Sequence, residues 1–210
     1  IFRMPDITTD GSFTCGAAVY ALGMQDMNGS LPLFLLLAFL AGSAGGFCTG
    51  WITEKLRIQP LLSGILVMSA LYSINLLLMG KSNISIPLSE EALSPFYTWL
   101  TPSLVLCLAL GALAFLLHSD YGLAMRATGH AEQMAMAHGI RPGHMRIAGL
   151  MLANGLTALS GAMVARFQGF TDINMGVGIV IAGLGSVMIS ESILQALGVK
   201  KLWLRLLSLV

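Results

Sequence analysis

The residues able to do chemistry are few in this chain, and they gather in a few places. His118, His130, His138 and His144 fall in one stretch with Arg126, Glu132, Arg141 and Arg146. Histidines at i, i+3 or i, i+4 would put two metal ligands on one helical turn. No pair here has that spacing, so the cluster reads as a polar contact surface. Gly80-Lys81-Ser82 resembles the end of a phosphate-binding loop. That loop needs a second glycine where Asn75 stands. Gly176 and Gly178 lack the third glycine of a dinucleotide loop. Cys15, Cys48 and Cys107 are scattered through apolar surroundings, with neither metal nor disulfide spacing. No catalytic constellation and no cofactor site follow, and the chain reads as non-enzymatic.

Composition explains the scarcity. Of 210 residues, 56% are hydrophobic and 10% charged, with a mean hydropathy of +0.81. A soluble domain carries about 25% charged residues, so this is an integral membrane protein. A net charge of +1 gives no reason to expect a nucleic-acid partner. Residues 27–53, 58–80, 92–119 and 147–165 are free of charge or nearly so. Each reaches the roughly 20 residues a spanning helix needs. Segment 11–25 is shorter, and 173–190 opens with glycines; both are expected as half-helices or irregular spans. The expected fold is an all-α polytopic transmembrane bundle with interrupted or re-entrant helices. It forms one transmembrane domain over 1–210, with a loop at 119–146 that carries a short helix. The chain starts at Ile1 and ends inside the apolar run LWLRLLSLV, so truncation at both ends is expected.

Lysines and arginines orient the spans, because short cytoplasmic loops are enriched in them. The loop with Glu54, Lys55 and Arg57 is placed inside. The next has Lys81 against Glu90 and Glu91, and is placed outside. The loop with Arg126, Arg141 and Arg146 is inside again. Phe96, Tyr97 and Trp99 then suit an external interfacial belt, and Arg166 and Asp172 lie outside. Lys200, Lys201 and Arg205 are inside only if 173–199 crosses, with Glu191 in the way.

Gly42, Gly46 and Gly50 recur every fourth residue and so share one helix face. Such a face lets membrane helices approach closely; the rival use is to line a ligand path. DITTDG, with Asp6, Asp10 and Gly11, echoes DINMG, with Asp172 and Gly176. The loop charges put the two on opposite sides, as an inverted repeat would. Interrupted segments at matching places point to a transport path. The alternative is that Asp6 and Asp172 simply cap helix starts. Asn75 stands in an apolar span and needs a partner, either a neighbouring helix or a substrate. Apart from His118 at the edge of one, the clean spans contain no Asp, Glu or His of the kind ion-coupled carriers use. The energy source is therefore expected on another chain.

The segment RATGHAEQMAMAHGIRPG then makes sense as a docking knob. Ala131, Ala135 and His138 would share one helical face, and Glu132, Met136 and Gly139 the next. Pro142 would stop the helix, while Arg126, Glu132 and Arg141 would fix orientation.

At this point a resemblance appears. GLAMRATGHAEQMAMAHGIRPGHMRIAGLMLANGLTALSGAMVA resembles the coupling region of permease subunits of ABC importers. The nearest group holds the branched-chain amino-acid and ribose permeases, and within it the permeases paired with lipoprotein-like solute-binding proteins. DITTDGSFTCGAAVYAL, IQPLLSGILVMSALYSINLLLMGKSNI and MGVGIVIAGLGSVMISES also fit. The distance from Glu132 to Gly139 is one residue longer than in the broader importer motif. The resemblance implies import of a small organic solute, an amino acid among the candidates, across a bacterial inner membrane. It implies two permease copies, a cytoplasmic ATP-binding cassette ATPase and an external solute-binding protein. Arg126, Gly129, Glu132, Ala135, Gly139 and Pro142 would then belong to the ATPase-coupling segment. Asp6, Asp10, Gly11, Asn75, Asp172 and Gly176 would line or shape the translocation path. The rival functions are a self-contained secondary transporter, favoured by the echo and opposed by the clean spans, and a scaffold without transport.

Overall fold

The computed structural model describes residues 6–26, 31–86 and 95–196. Glu90, Glu91, Lys200, Lys201, Arg205 and the final apolar run lie outside those residues, as do the side chains of Phe96, Tyr97, Trp99 and Glu191. The elements in chain order are α1 (Thr8–Asp26), α2 (Leu31–Leu56), α3 (Pro60–Met79), β1 (Asn83–Ser85), α4 (Pro95–His118) and α5 (Asp120–His130). They continue with α6 (Glu132–Ala137), α7 (Pro142–Gln168), β2 (Phe170–Asp172) and α8 (Ile179–Ala196). Helices α2, α3 and α7, with Leu100–His118 of α4, are long and apolar enough to cross a membrane. The all-α polytopic fold is thus as the sequence leads one to expect. Two compact units are present, Ile1–Gly176 and Val177–Val210. Within the second, α8 follows Gly178, whose φ is +90°.

Local signals fix the helix ends. Pro60 and Pro142 stand at the first turns of α3 and α7, where a missing N–H costs nothing. Gly80 and Gly169 close the same helices in left-handed conformation, donating to Leu76 O and Ala165 O. Outward faces carry leucines and aromatics: Leu62, Leu66, Leu77 and Phe115 are all exposed. In a membrane these meet lipid, which is as apolar as leucine.

Helix α1 departs from expectation. Segment 11–25 was expected as a half-helix, but it lies within a continuous helix of 19 residues. It runs between α7, α2 and α3, and Ala17, Ala18, Tyr20 and Ala21 are wholly buried. Its modest hydropathy has a physical reason. It is surrounded by protein, so it needs small side chains for close approach more than lipid-soluble ones.

The glycine face of α2 packs on α7. A Cβ at Gly42 would lie 2.4 Å from Ala158 Cβ, and one at Gly46 would lie 2.3 Å from Leu150 O. At Gly50 it would stand 3.0 Å from Ile147 Cα. Of the two uses open in the sequence, the face serves packing. Helix α4 stands further off. No residue of its apolar window is buried, and a cavity of about 560 Å³ lined by Leu35, Phe39, Leu108 and Leu156 separates it from α2 and α7.

A short antiparallel ribbon joins the loops after α3 and α7. Asn83 pairs with Asp172, Ile84 with Thr171 and Ser85 with Phe170. Gln25 Nε2, at the end of α1, donates to Ser85 O at 2.8 Å.

Candidate coupling surface and buried polar seam

The loop 119–146 holds two successive helices, α5 and α6. Ser119 caps α5, its hydroxyl accepting from Gly122 N at 3.5 Å and donating to Leu116 O at 2.6 Å. Arg126 Nη2 donates to Leu117 O at 2.9 Å, so its guanidinium ties α5 to the last turn of α4. Gly122, Met125 and Thr128 of α5 are buried. The chain then breaks at Ala131 (φ −149°, ψ 86°) and restarts as the short α6.

Two expectations for α6 are corrected. Ala135 does not form an outward docking face; it is 3% exposed and points inward. Every other residue of α6 is exposed, among them Met134 at 67% and Met136 at 50%. Nor does Pro142 stop this helix; it opens α7. The stop is Gly139, at φ +78°. Ile140 N donates to Ala135 O at 3.1 Å and Gly139 N to Met136 O at 2.9 Å, the two bonds of a Schellman turn.

A Cβ at Gly139 would touch nothing within 4 Å. The cost of Gly139→Ala is therefore backbone strain alone, about 1 kcal/mol for a left-handed alanine. We expect the Ile140 amide to exchange hydrogen about fivefold faster in Gly139→Ala than in wild type, since local opening is that much cheaper. Unchanged exchange would show that the turn does not depend on glycine.

The other coupling candidates can be placed. Gly129 is exposed near the end of α5. Glu132 opens α6, and its carboxylate accepts from Arg146 Nη2. Arg146 Nη1 also reaches Glu54 Oε1 at 3.0 Å, so one guanidinium joins α2, α6 and α7. The histidines are dispersed. His118 and His138 bond through Nδ1 to carbonyls four residues back, Ala114 O and Met134 O. Among the described residues no group of three or more His, Cys, Asp or Glu could hold a metal.

The path candidates lie mostly along α1, in packed surroundings. Asp6 Oδ1 accepts from Thr8 N at 2.9 Å, and Asp172 Oδ1 accepts from Asn174 N at 2.8 Å. The two halves of the sequence echo thus make the same local turn, each carboxylate holding the amide two residues on. Asp10 is buried. A Cβ at Gly176 would fall 2.0 Å from Asp10 O, so the loop after β2 presses its backbone on α1 there. Gly11 packs on Met68 and Leu71 of α3, and Asn75 Nδ2 donates to Gly11 O at 3.3 Å. That bond joins two helices; Asn75 Oδ1 is buried without a partner. Asp6 borders a cavity of about 350 Å³ with Thr9, Met125, Arg146 and Gly149.

Several polar residues not singled out in the sequence complete a buried seam. Asn154, wholly buried, donates from Nδ2 to Asp6 Oδ2 at 2.8 Å and to Leu150 O at 3.0 Å. Its Oδ1 accepts from Ser12 Oγ at 2.7 Å. Thr8 and Thr49 hydroxyls meet at 2.7 Å, and Thr53 and Ser63 hydroxyls at 2.6 Å. The signal was available. Asn154 is an amide inside a charge-free span, as Asn75 is.

This architecture can be set beside known proteins. The chain is 40% identical over 200 residues to the tyrosine transport system permease protein of Clostridioides difficile, covering 93% of this chain and 66% of that one. It is 34% identical over 196 residues to an uncharacterized protein of Rickettsia prowazekii, covering 92% and 69%. With the autoinducer 2 import system permease protein LsrC of Yersinia enterocolitica it shares 29% identity over 184 residues, 85% of this chain and 51% of that one. The chain thus spans about two thirds of the first relative's length and half of the third's. No solved structure gives a significant match. Residues 1–199 match the family described as branched-chain amino acid transport system, permease component. With its long apolar helices arranged as above, the chain is a multi-pass membrane protein that belongs to this permease family.

Proposed function

We propose that the chain is the membrane-spanning part of an ATP-driven importer in a bacterial inner membrane, and that α5 and α6 dock on a separate ATPase. The solute is small and organic, and an amino acid comes first because one relative is named as a tyrosine transport permease. An external binding protein delivers it, and a second copy of the permease completes the path. ATP binding moves the ATPases, α6 follows as a rigid body, and the spans alternate access. The domain unit is the whole of 1–210, with 119–146 as its coupling loop.

One observation carries this reading: α6 is a short helix with Ala135 alone buried, and it exposes two large apolar side chains, Met134 and Met136, to solvent. Methionines adapt to a groove and supply apolar contact. They sit in the loop that the Lys and Arg pattern places in the cytoplasm. The test is purification of the full-length protein from native membranes in mild detergent. Bound subunits would be identified by mass spectrometry and by ATP hydrolysis. Wild type should carry an ATP-binding cassette subunit. Met134→Glu with Met136→Glu should lose it by about a hundredfold, since burying two unpaired carboxylates costs several kcal/mol. Equal recovery from wild type and variant would overturn α6 as the docking element.

A further inference from the structure

We propose that Arg146 is the positioning residue that transmits motion of α6 to the membrane spans, through a clasp with Glu132 and Glu54. The inference rests on the docking reading above and names the part within this chain that makes it mechanical.

Helix α6 has little else to hold it. Only Ala135 of its residues is buried, and its C-terminal end is a glycine turn. Glu132 is its first residue, and its carboxylate takes Arg146 Nη2. Arg146 belongs to the early part of α7, and its Nη1 takes Glu54 Oε1, in the last turn of α2. Gly143 fits against that glutamate so closely that a Cβ would lie 2.8 Å from Glu54 Oε2. The clasp therefore joins a six-residue helix to two spans at once. Those spans behave as one body, because α2 and α7 pack glycine against backbone at Gly42 and Gly46. A push on α6 reaches both together, and with them Thr49 and Asn154, which bond Thr8 and Ser12 of α1.

The chemistry suits this use. A guanidinium is a planar fork whose nitrogens can each hold a different carboxylate in fixed geometry, which an ammonium cannot do. The side chains are only partly buried, at 23% exposure for Arg146, 26% for Glu54 and 45% for Glu132. Partly exposed pairs contribute little to stability. Their value here is geometry, so the effect belongs in coupling and not in the melting temperature.

The experiment uses the full-length permease with its ATPase and binding protein, reconstituted in vesicles, and reads solute transported per ATP hydrolysed. Arg146→Gln should still co-purify with the ATPase but transport about tenfold less per ATP, a coupling loss of ordinary size. Arg146→Lys keeps the charge without the fork and should recover part of the ratio. Glu54→Gln, which lies outside the docking loop, should lower the ratio by about threefold if the arm to α2 matters. A wild-type ratio in Arg146→Gln overturns the clasp and leaves the docking reading standing. Failure of the wild-type arm to bind any ATPase overturns both, and is told apart because no variant is needed to see it. A loss of ATPase binding in Arg146→Gln would place the residue in the docking face and overturn its transmitting role.

Discussion

Gly16→Ala is expected to lower the melting temperature of the purified protein by roughly 10 °C, from an overpacking cost of about 3 kcal/mol. A Cβ there would lie 2.0 Å from Ala158 O, 2.5 Å from Ala158 C and 2.6 Å from Ala158 Cα. All three are backbone atoms of α7, so no side chain can swing aside. The helices must part, and they are held from the other direction too: a Cβ at Gly161 would fall 2.0 Å from Phe13 O. Parting them also stretches the Ser12–Asn154 bond. Alanine gains about 1 kcal/mol over glycine in helix propensity, which does not offset the clash. Gly111→Ala is the control. It lies in α4, where an added Cβ meets nothing within 4 Å, so only the propensity gain remains. The check is a thermal melt in detergent followed by size exclusion. If the two variants melt together, the α1–α7 contact is not as close as described.

How much of this was legible follows from which solvent each element meets. The lipid-facing helices announce themselves. The apolar run 58–80 becomes α3 at Pro60–Met79, and 92–119 becomes α4 at Pro95–His118. Lipid demands leucine, and charges punctuate the ends. The glycine face of α2 was also readable, since the four-residue repeat survives into close backbone contact. Helix α1 was not, because its solvent is other helices, and Ala17, Ala18 and Ala21 look like nothing in a hydropathy profile. The face of α6 was misread for a different reason. Periodicity groups Ala131, Ala135 and His138, but it does not say which of them meets the rest of the protein, and only Ala135 is buried. The β1–β2 ribbon has three residues per strand, too few for an alternating pattern to stand out. Around the candidate sites, a short helix within 119–146 was readable, whereas the Glu54–Arg146–Glu132 clasp was not. Glu54 and Arg146 are 92 residues apart, and only the packing of α2 on α7 brings them together.

Asn154→Leu is expected to cost about 3 kcal/mol, because it removes a hydrogen bond to a carboxylate and strands a buried hydroxyl. Asn154 is wholly buried and uses both donors and its carbonyl oxygen. Leucine fills similar space but answers none of these groups. Asp6 loses its Nδ2 partner, though it borders a cavity where water can approach. Ser12, wholly buried, has no such recourse. Its remaining choice is a carbonyl one turn back on α1, a weaker bond that bends helices. This asymmetry sets the second half of the prediction. Removing the stranded hydroxyl as well, in Ser12→Ala with Asn154→Leu, should return about 1 kcal/mol of the loss, since deleting both partners of a buried bond is nearly neutral. Thermal melts of wild type, the two single variants and the double variant form a closed cycle. The coupling between the two sites is then that 1 kcal/mol plus the cost of Ser12→Ala alone, and a value of at least about 1 kcal/mol supports the seam as the anchor of α1 on α7. Purely additive losses would mean that Ser12 and Asn154 do not bond in the folded protein. The start of α1, with Asp6 and its turn, would then be held by Thr8 and Thr49 instead.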